Sequence, residues 1–335
     1  MLLFLIVCCT SNLLFRLLAI VFMYNITQTL PNVLKVMTEY VKICEAGFDV
    51  NVVSLNTNSM EEWNQANFLK TYATDFYCHR IQAPIGLQSE SYNISLGIQV
   101  AARSRDILRE NANDFDVFLC QESEIFVTLP HLVNYIRETT LLESYESISV
   151  GRVLRRRHMV GYLRTRRNNI TSIDGVYPAL FPICLEDRNN LNNTKPYIAV
   201  RGDIYQGLFI LTKSQLLMLK NDCHFFDQTM FTASNRYFSS GFLYAKPRKA
   251  FDFPRSPAAY CNRIKLIPAE NYLAFGVDEL QSPSPNSAST NTYSLDIFFN
   301  KKLFSKRKKE MLKLDCWNHM RHKFDSLEVN GSQTN

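Results

Sequence analysis

Asp114–Leu142 reads DFDVFLCQESEIFVTLPHLVNYIRETTLL, and its three parts decide the fold. Phe115-Asp116-Val117-Phe118-Leu119-Cys120 is a short apolar run of the kind that forms a strand buried on both faces. Gln121-Glu122-Ser123-Glu124 sets two carboxylates at its end, and His131–Leu142 then takes helical spacing through Leu132, Tyr135 and Ile136. A buried strand that stops at acids spaced i, i+2 delivers them to the carboxyl edge of a sheet, where open α/β sheets bind ligands. Acids at such an edge hold a hard divalent cation that serves a phosphate-bearing substrate. The plainer reading is a solvated acidic turn after a strand. On these residues alone it has a slight advantage.

Upstream, Leu17–Tyr24 (LLAIVFMY) reads as a first strand, Asn25–Pro31 as a loop, Val33–Ala46 as an amphipathic helix, and Phe48–Leu55 as a second strand ended by Asn56-Thr57-Asn58. Strand, helix and strand with short connections are the pattern of a parallel sheet. A membrane span competes for the same residues, because Leu2–Tyr24 has the length for one. Arg16 weakens that reading, since an arginine at mid-bilayer costs about 2.5–3.5 kcal/mol on insertion scales. No basic residue precedes the apolar run. The strand reading leaves residues 1–16 as a short apolar anchor or signal remnant.

Downstream, Asp75–Arg80 reads as a short exposed strand and Ser91–Asn111 as a loop that becomes a helix, with Arg103, Arg105 and Arg109 on its polar side. Met159–Leu163 reads as a strand among arginines, Asn168–Lys195 as loop-rich, and Tyr197–Val200 as a strand. Gly202–Gly207 is a turn region before Leu208–Leu211, which leads into a helix capped by Thr212. Ile264–Pro268 is another short strand, and Gln281–Tyr293 is a linker rich in Ser, Pro and Asn. The expectation is one α/β domain over residues 17–275, its mainly parallel sheet flanked by helices. Residues 276–335 form a linker and a flexible basic C-terminal tail.

The composition, 335 residues and 46% hydrophobic, is enough for a large core. Much of the net charge of +6 sits in Arg152–Arg167 and Lys301–Lys313, and a modest excess of this kind does not imply nucleic acid. The nine cysteines are scattered without a CxxC pair, which argues against thiolate zinc and leaves any disulfide pairing open. Asn-x-Ser/Thr acceptors at Asn25, Asn93, Asn169, Asn192 and Asn330 permit a secretory location without establishing it.

Several segments together resemble a known group. Val33–Asp49, Phe115–Leu142, His158–Leu163 (HMVGYL), Gly202–Leu217 (GDIYQGLFILTKSQLL), Arg236–Tyr244 (RYFSSGFLY) and Lys265–Pro268 (KLIP) occur in this order. The ordered set resembles eukaryotic glycosyltransferase-like proteins with a GT-A-type, Rossmann-like fold, over roughly residues 17–275. In that group the strand ends in Glu-Asp-Asp, a helix with a His-Leu…Tyr…Glu-Thr pattern follows, and Gln-Gly-Met/Leu-Phe-Ile-Leu-Thr and Ser-Ser segments come later.

The resemblance implies a nucleotide-sugar donor, a glycan or protein acceptor and a divalent cation, manganese or magnesium. It also implies a Golgi or endoplasmic reticulum membrane location with the bulk of the chain in the lumen. Carried onto this sequence, Glu122 and Glu124 stand as metal ligands, and Ser123, Gln206, Gly207, Ser239 and Ser240 as donor-binding residues. Asp203 stands as the general base an inverting transferase needs. For Gly207 the alternative is a tight turn, for Asp203 a turn-forming carboxylate, and for the serine pair a loop that satisfies its own backbone. Two departures stand out. Ser123 and Glu124 replace the two aspartates, and Ala274–Glu279 holds no histidine, leaving Asp278 as a substitute ligand. A weakened or inactive, non-catalytic binding module of the same fold is therefore the second class of function.

Overall fold

Arg16–Tyr24 forms strand β1, Ile26–Glu45 helix α1 and Asp49–Asn58 strand β2. The computed structural model describes residues 15–24, 26–58, 73–93, 99–146, 158–166, 169–170, 179–187, 194–201, 207–222, 226, 261, 264–268 and 271–280. β1 and β2 pair in parallel, from Arg16 opposite Asp49 to Tyr24 opposite Thr57. The apolar run from Leu17 is thus a core strand, and no helix among the described residues is long and apolar enough to cross a membrane. The expected anchor lies almost wholly outside the described residues. α1 takes in most of the expected Asn25–Pro31 loop. Pro31 forfeits one bond to the Thr27 carbonyl, and the buried stripe of Val33, Val36, Met37, Tyr40, Ile43 and Cys44 holds the helix on the sheet.

A hairpin of β3 (Tyr77–Cys78) and β4 (Ala83–Pro84) follows, then β5 (Gly86–Asn93), α2 (Gln99–Glu110), β6 (Val117–Glu122), β7 (Ile125–Phe126) and α3 (Leu129–Ser144). Further on lie β8 (Tyr145–Glu146), β9 (His158–Val160), β10 (Leu163–Arg166), β11 (Asn169–Ile170), β12 (Ala179–Asp187) and β13 (Thr194–Arg201). β14 (Leu208–Thr212), α4 (Lys213–Asp222), β15 (Ile264–Pro268) and β16 (Gly276–Glu279) complete the described elements.

The central sheet runs β14-β6-β1-β2-β5. Four strands are parallel, and β14 closes one edge antiparallel. β1 alternates between two cores. Leu17, Ala19, Val21 and Met23 pack with residues of α1 and α3; Leu18, Ile20 and Phe22 pack with residues of α2 and α4. Each fully buried Leu, Ile or Phe of this kind contributes roughly 1.5–3 kcal/mol. Helices therefore cover both faces, and β6, buried at every position, lies inside the sheet.

The expectation of one mainly parallel sheet needs correction. A second five-stranded sheet, β8-β12-β13-β15-β9, is mostly antiparallel, and a third joins β11, β10, β16 and β7. Part of the stretch read as loop-rich is the nine-residue strand β12. Pro182 disguised it, yet a proline fits there because, among the described residues, β12 pairs with β13 on one side and meets β8 at Glu186 and Asp187. Residues 276–279, expected in the linker, form β16 and pair with both β10 and β7. Gln281–Tyr293 and the basic tail lie outside the described residues.

The β3–β4 hairpin is not an exposed strand either, since Phe76 and Cys78 are buried. It clamps the end of α1. Cys44 and Cys78 form a disulfide, and Arg80 donates to the carbonyls of Cys44 (2.7 Å) and Phe48 (2.6 Å). The Glu45 carboxylate accepts from the backbone N–H groups of His79 and Arg80. A disulfide closing a loop of this length, sequence separation 34, stabilises by about 3–4 kcal/mol on a chain-entropy account.

Candidate functional site

The carboxyl ends of β1, β2, β5 and β6 share one edge of the central sheet, because these strands are parallel. From β1 the chain proceeds outward to β2 and β5, then returns through α2 to β6 on the other side of β1. The strand order thus reverses between β1 and β6, and the crevice at such a reversal is where open α/β sheets take ligands. Phe22 and Glu122 are register partners there.

Glu122 is the last residue of β6 and is buried. Phe118 and Cys120 belong to the core packed with α2 and α4, so alternation turns the Glu122 side chain to that face. Its backbone N–H donates to the carbonyl of Gly207 at 2.8 Å. Gly207 has a φ of +59°, and a Cβ built on it would lie 2.5 Å from Glu122 Oε2. The close approach that the glycine allows is therefore to this carboxylate.

Ser123 and Glu124 form a turn rather than a continuation of the strand. Ser123 is buried and its N–H donates to the Phe22 carbonyl at 2.9 Å. The Glu124 carbonyl accepts from Leu280 N at 2.6 Å, tying the turn to the end of β16. The i, i+2 argument for a shared side holds only while the strand stays extended, and it stops at Glu122. Asp278 sits opposite Phe126 on β16, and its charge acts on His131. Asp203, Gln206, Ser239 and Ser240 lie outside the described residues.

β14 is fixed at both ends. Beyond the Glu122–Gly207 bond, Lys213 N donates to the Asp116 carbonyl at 2.8 Å. Thr212 and Gln215 make a capping box, with Gln215 N on Thr212 Oγ1 (3.3 Å) and Thr212 N on Gln215 Oε1 (2.9 Å). The Tyr135 hydroxyl from α3 donates to the same Gln215 oxygen at 2.8 Å. Glu39 of α1 in turn accepts from Leu129 N and caps the start of α3. His131 accepts from Thr128 N through Nδ1, and burial holds its pKa below the ordinary histidine value. It serves the helix start, as the sequence suggested.

Other polar groups near this edge escaped the sequence reading. On the face toward α1 and α3, Gln121 is buried with Nε2 donating to the Ile125 carbonyl (3.0 Å), while its Oε1 has no hydrogen-bond partner among the described residues. Ser54, Asn56 and Ser89 form a hydrogen-bonded chain across β2 and β5. Their one signal was the polar end of an otherwise apolar run.

Of the helix α2 arginines only Arg109 is exposed to solvent as expected. Arg105 is buried, and Arg103 bonds Glu90 and Glu110. Burial raises the Glu90 pKa, but hydrogen bonds from Arg103 and Tyr92 outweigh it and leave the carboxyl below its ordinary range. Burial and the Glu90 bond push the Tyr92 pKa up to about 12. Beside this network a cavity of about 280 Å³ lies between α2 and strands β2 and β5, toward the amino ends of the strands.

Carboxylate oxygens suit Mg and Mn. Glu122 supplies one carboxylate at the reversal point, in the space that the missing Cβ of Gly207 leaves. No group of three His, Cys, Asp or Glu side chains placed to hold a metal occurs among the described residues.

No protein-family model matches the sequence, and no curated protein matches it. Among solved structures, the chain is similar to S. aureus TarS 1-349, with a TM-score of 0.36 and 11% identity. The match covers 80% of this chain and 58% of the other, so the chain spans under two thirds of that structure's length. A likeness of this size fixes neither family nor function.

Proposed function

We propose that this protein transfers a sugar from a nucleotide-sugar donor to a glycan or protein acceptor, with a manganese or magnesium ion at the donor diphosphate. The observation that carries the reading is the buried carboxylate of Glu122, the last residue of a fully buried parallel strand, at the point where the strand order reverses. Glu122 and Glu124 would hold the cation. When bound, such an ion offsets the charge that builds on the leaving diphosphate. Ser123, Gln206, Gly207, Ser239 and Ser240 are assigned to the donor. Asp203 is assigned to take the proton of the acceptor hydroxyl.

Isothermal titration with UDP or GDP and Mn²⁺ tests this reading. Wild type binds the nucleotide more tightly with Mn²⁺ than without, and Glu122→Ala/Glu124→Ala loses that gain by tenfold or more. Equal binding by the double variant moves the metal role to other residues. Absence of any nucleotide binding favours the second reading, a binding module of the same fold. That reading draws on Ser123 in the metal motif and on the turn that removes Glu124 from the strand.

We place the protein in the endoplasmic reticulum or Golgi lumen, attached to the membrane through its N-terminal residues. The support is the Cys44–Cys78 disulfide together with a disulfide-bonded Cys261, since such bonds persist in oxidising compartments. Endoglycosidase treatment of the expressed chain should shift its electrophoretic mobility. An unshifted, cytosolic protein with Cys44 reduced would overturn the placement.

A further inference from the structure

We infer that Gly207 is a positioning residue, which sets where the Glu122 carboxylate sits; its bearing on cation binding rests on the function proposed above. A Cβ at position 207 would meet Oε2 at 2.5 Å, Cδ at 2.9 Å and Cγ at 3.3 Å. The whole end of the Glu122 side chain therefore lies along the glycine, with the charged group closest. The glycine cannot retreat. Its carbonyl holds Glu122 N, Leu208 pairs with Gln121, and the capping box and the Lys213–Asp116 bond pin the far end of β14. The carboxylate cannot swing freely either, because Glu122 is buried with Phe22 as its register partner on the opposite strand. Any side chain at 207 must displace the carboxylate, and a displaced carboxylate leaves the crevice where the cation would sit.

Two demands fall on this position, and they can be separated. A φ of +59° favours glycine for conformational reasons alone. Asparagine tolerates that conformation but still carries a Cβ. The experiment compares the thermal unfolding of wild type, Gly207→Ala, Gly207→Asn, Glu122→Ala and Glu122→Ala/Gly207→Ala. Both single changes at 207 should lower the midpoint by about 3 °C or more. In the Glu122→Ala background the Gly207→Ala loss should be at most half as large, because the clashing atoms are gone. The same proteins are titrated with UDP, with and without Mn²⁺. Gly207→Ala should lose at least tenfold of the Mn²⁺-dependent gain in UDP affinity, Glu122→Ala should lose it to the same extent, and Glu122→Ala/Gly207→Ala should lose no more of it than Glu122→Ala does. A merely structural role would leave the gain intact or add its own loss to that of Glu122→Ala.

Two results overturn the inference: Gly207→Asn behaving as wild type, or an equal Gly207→Ala loss in both backgrounds. If wild type gains no UDP affinity from Mn²⁺, the proposed function falls and takes the cation role of Glu122 with it. The unfolding cycle still decides whether Gly207 places the carboxylate.

Discussion

At the edge of the parallel sheet Gly207 lies against the carboxylate of Glu122; in the antiparallel sheet Gly161 lies against the stem of Lys265. A Cβ on Gly161 would come within 2.5 Å of Lys265 Cγ and 2.8 Å of Cδ. Both partners are buried titratable side chains beside a residue with no side chain of its own. The contacts differ in which atoms they touch. Gly207 meets the charged end of its partner, at the rim where the strand order reverses. Gly161 meets methylenes, and the ammonium beyond them donates to the Tyr162 carbonyl at 3.0 Å. Tyr162 itself is stacked between Tyr135 and Phe275, and its hydroxyl donates to the His131 carbonyl, so the lysine ends inside a packed aromatic cluster. Gly207 has a positive φ and Gly161 does not. The same residue type thus answers two demands: at 207 both backbone conformation and room, at 161 room alone. One places a charge at a candidate site, and the other lets a charge-bearing chain enter the core.

The most forceful way to break the comparison is to fill the space at 161. Gly161→Val drives two methyl groups into the Lys265 stem in a region with no slack, since Gly161 N is also held by the Leu266 carbonyl at 3.1 Å. Overpacking of this kind costs about 3 kcal/mol. Urea unfolding should show that loss, and Lys265→Ala in the same chain should recover part of it. A cost under about 1 kcal/mol would mean that the lysine stem moves aside freely, and that Gly161 has no role comparable to that of Gly207.

How far these two contacts were legible in the sequence differs by the range of the forces behind them. The strand ending at Glu122 was legible because Val117–Cys120 leave a continuous apolar mark, and the Thr212 cap because capping residues recur at fixed offsets. β5 was not, since Gly-Leu-Gln-Ser-Glu-Ser-Tyr-Asn forms an edge strand with a polar face. Nor was β12, whose Pro182 stands where the strand pairs on one side among the described residues. The reading that put Glu122 and Glu124 on one side assumed that the two-residue period runs past the strand end. The structure turns at Ser123 instead. Arg105 read as solvated because helical spacing gives the face of a residue and not the depth of the protein over it. Both glycine contacts join residues far apart in the chain, and nothing local marks them.

The mildest test leaves both glycines in place and titrates the lysine. Burial lowers the Lys265 pKa to about 7, against an ordinary value of 10.5. Below about pH 7 the amine is protonated in both the folded and the unfolded chain, and pH has no leverage through it. Between that value and the ordinary lysine range the folded chain has released the proton while the unfolded chain still carries it. The unfolded state then binds more protons, so stability rises with pH, by up to about 1.4 kcal/mol per unit for a single group. Lys265→Met keeps most of the stem volume against Gly161 and removes the titrating amine, so this rise should flatten while the packing survives. Urea midpoints at pH 7 and pH 9 for both proteins measure the difference. A variant with the same pH slope as wild type would show that Lys265 keeps its proton when folded. Lys265 would then be a buried ammonium against Gly161, and its burial would have to be offset within the aromatic cluster.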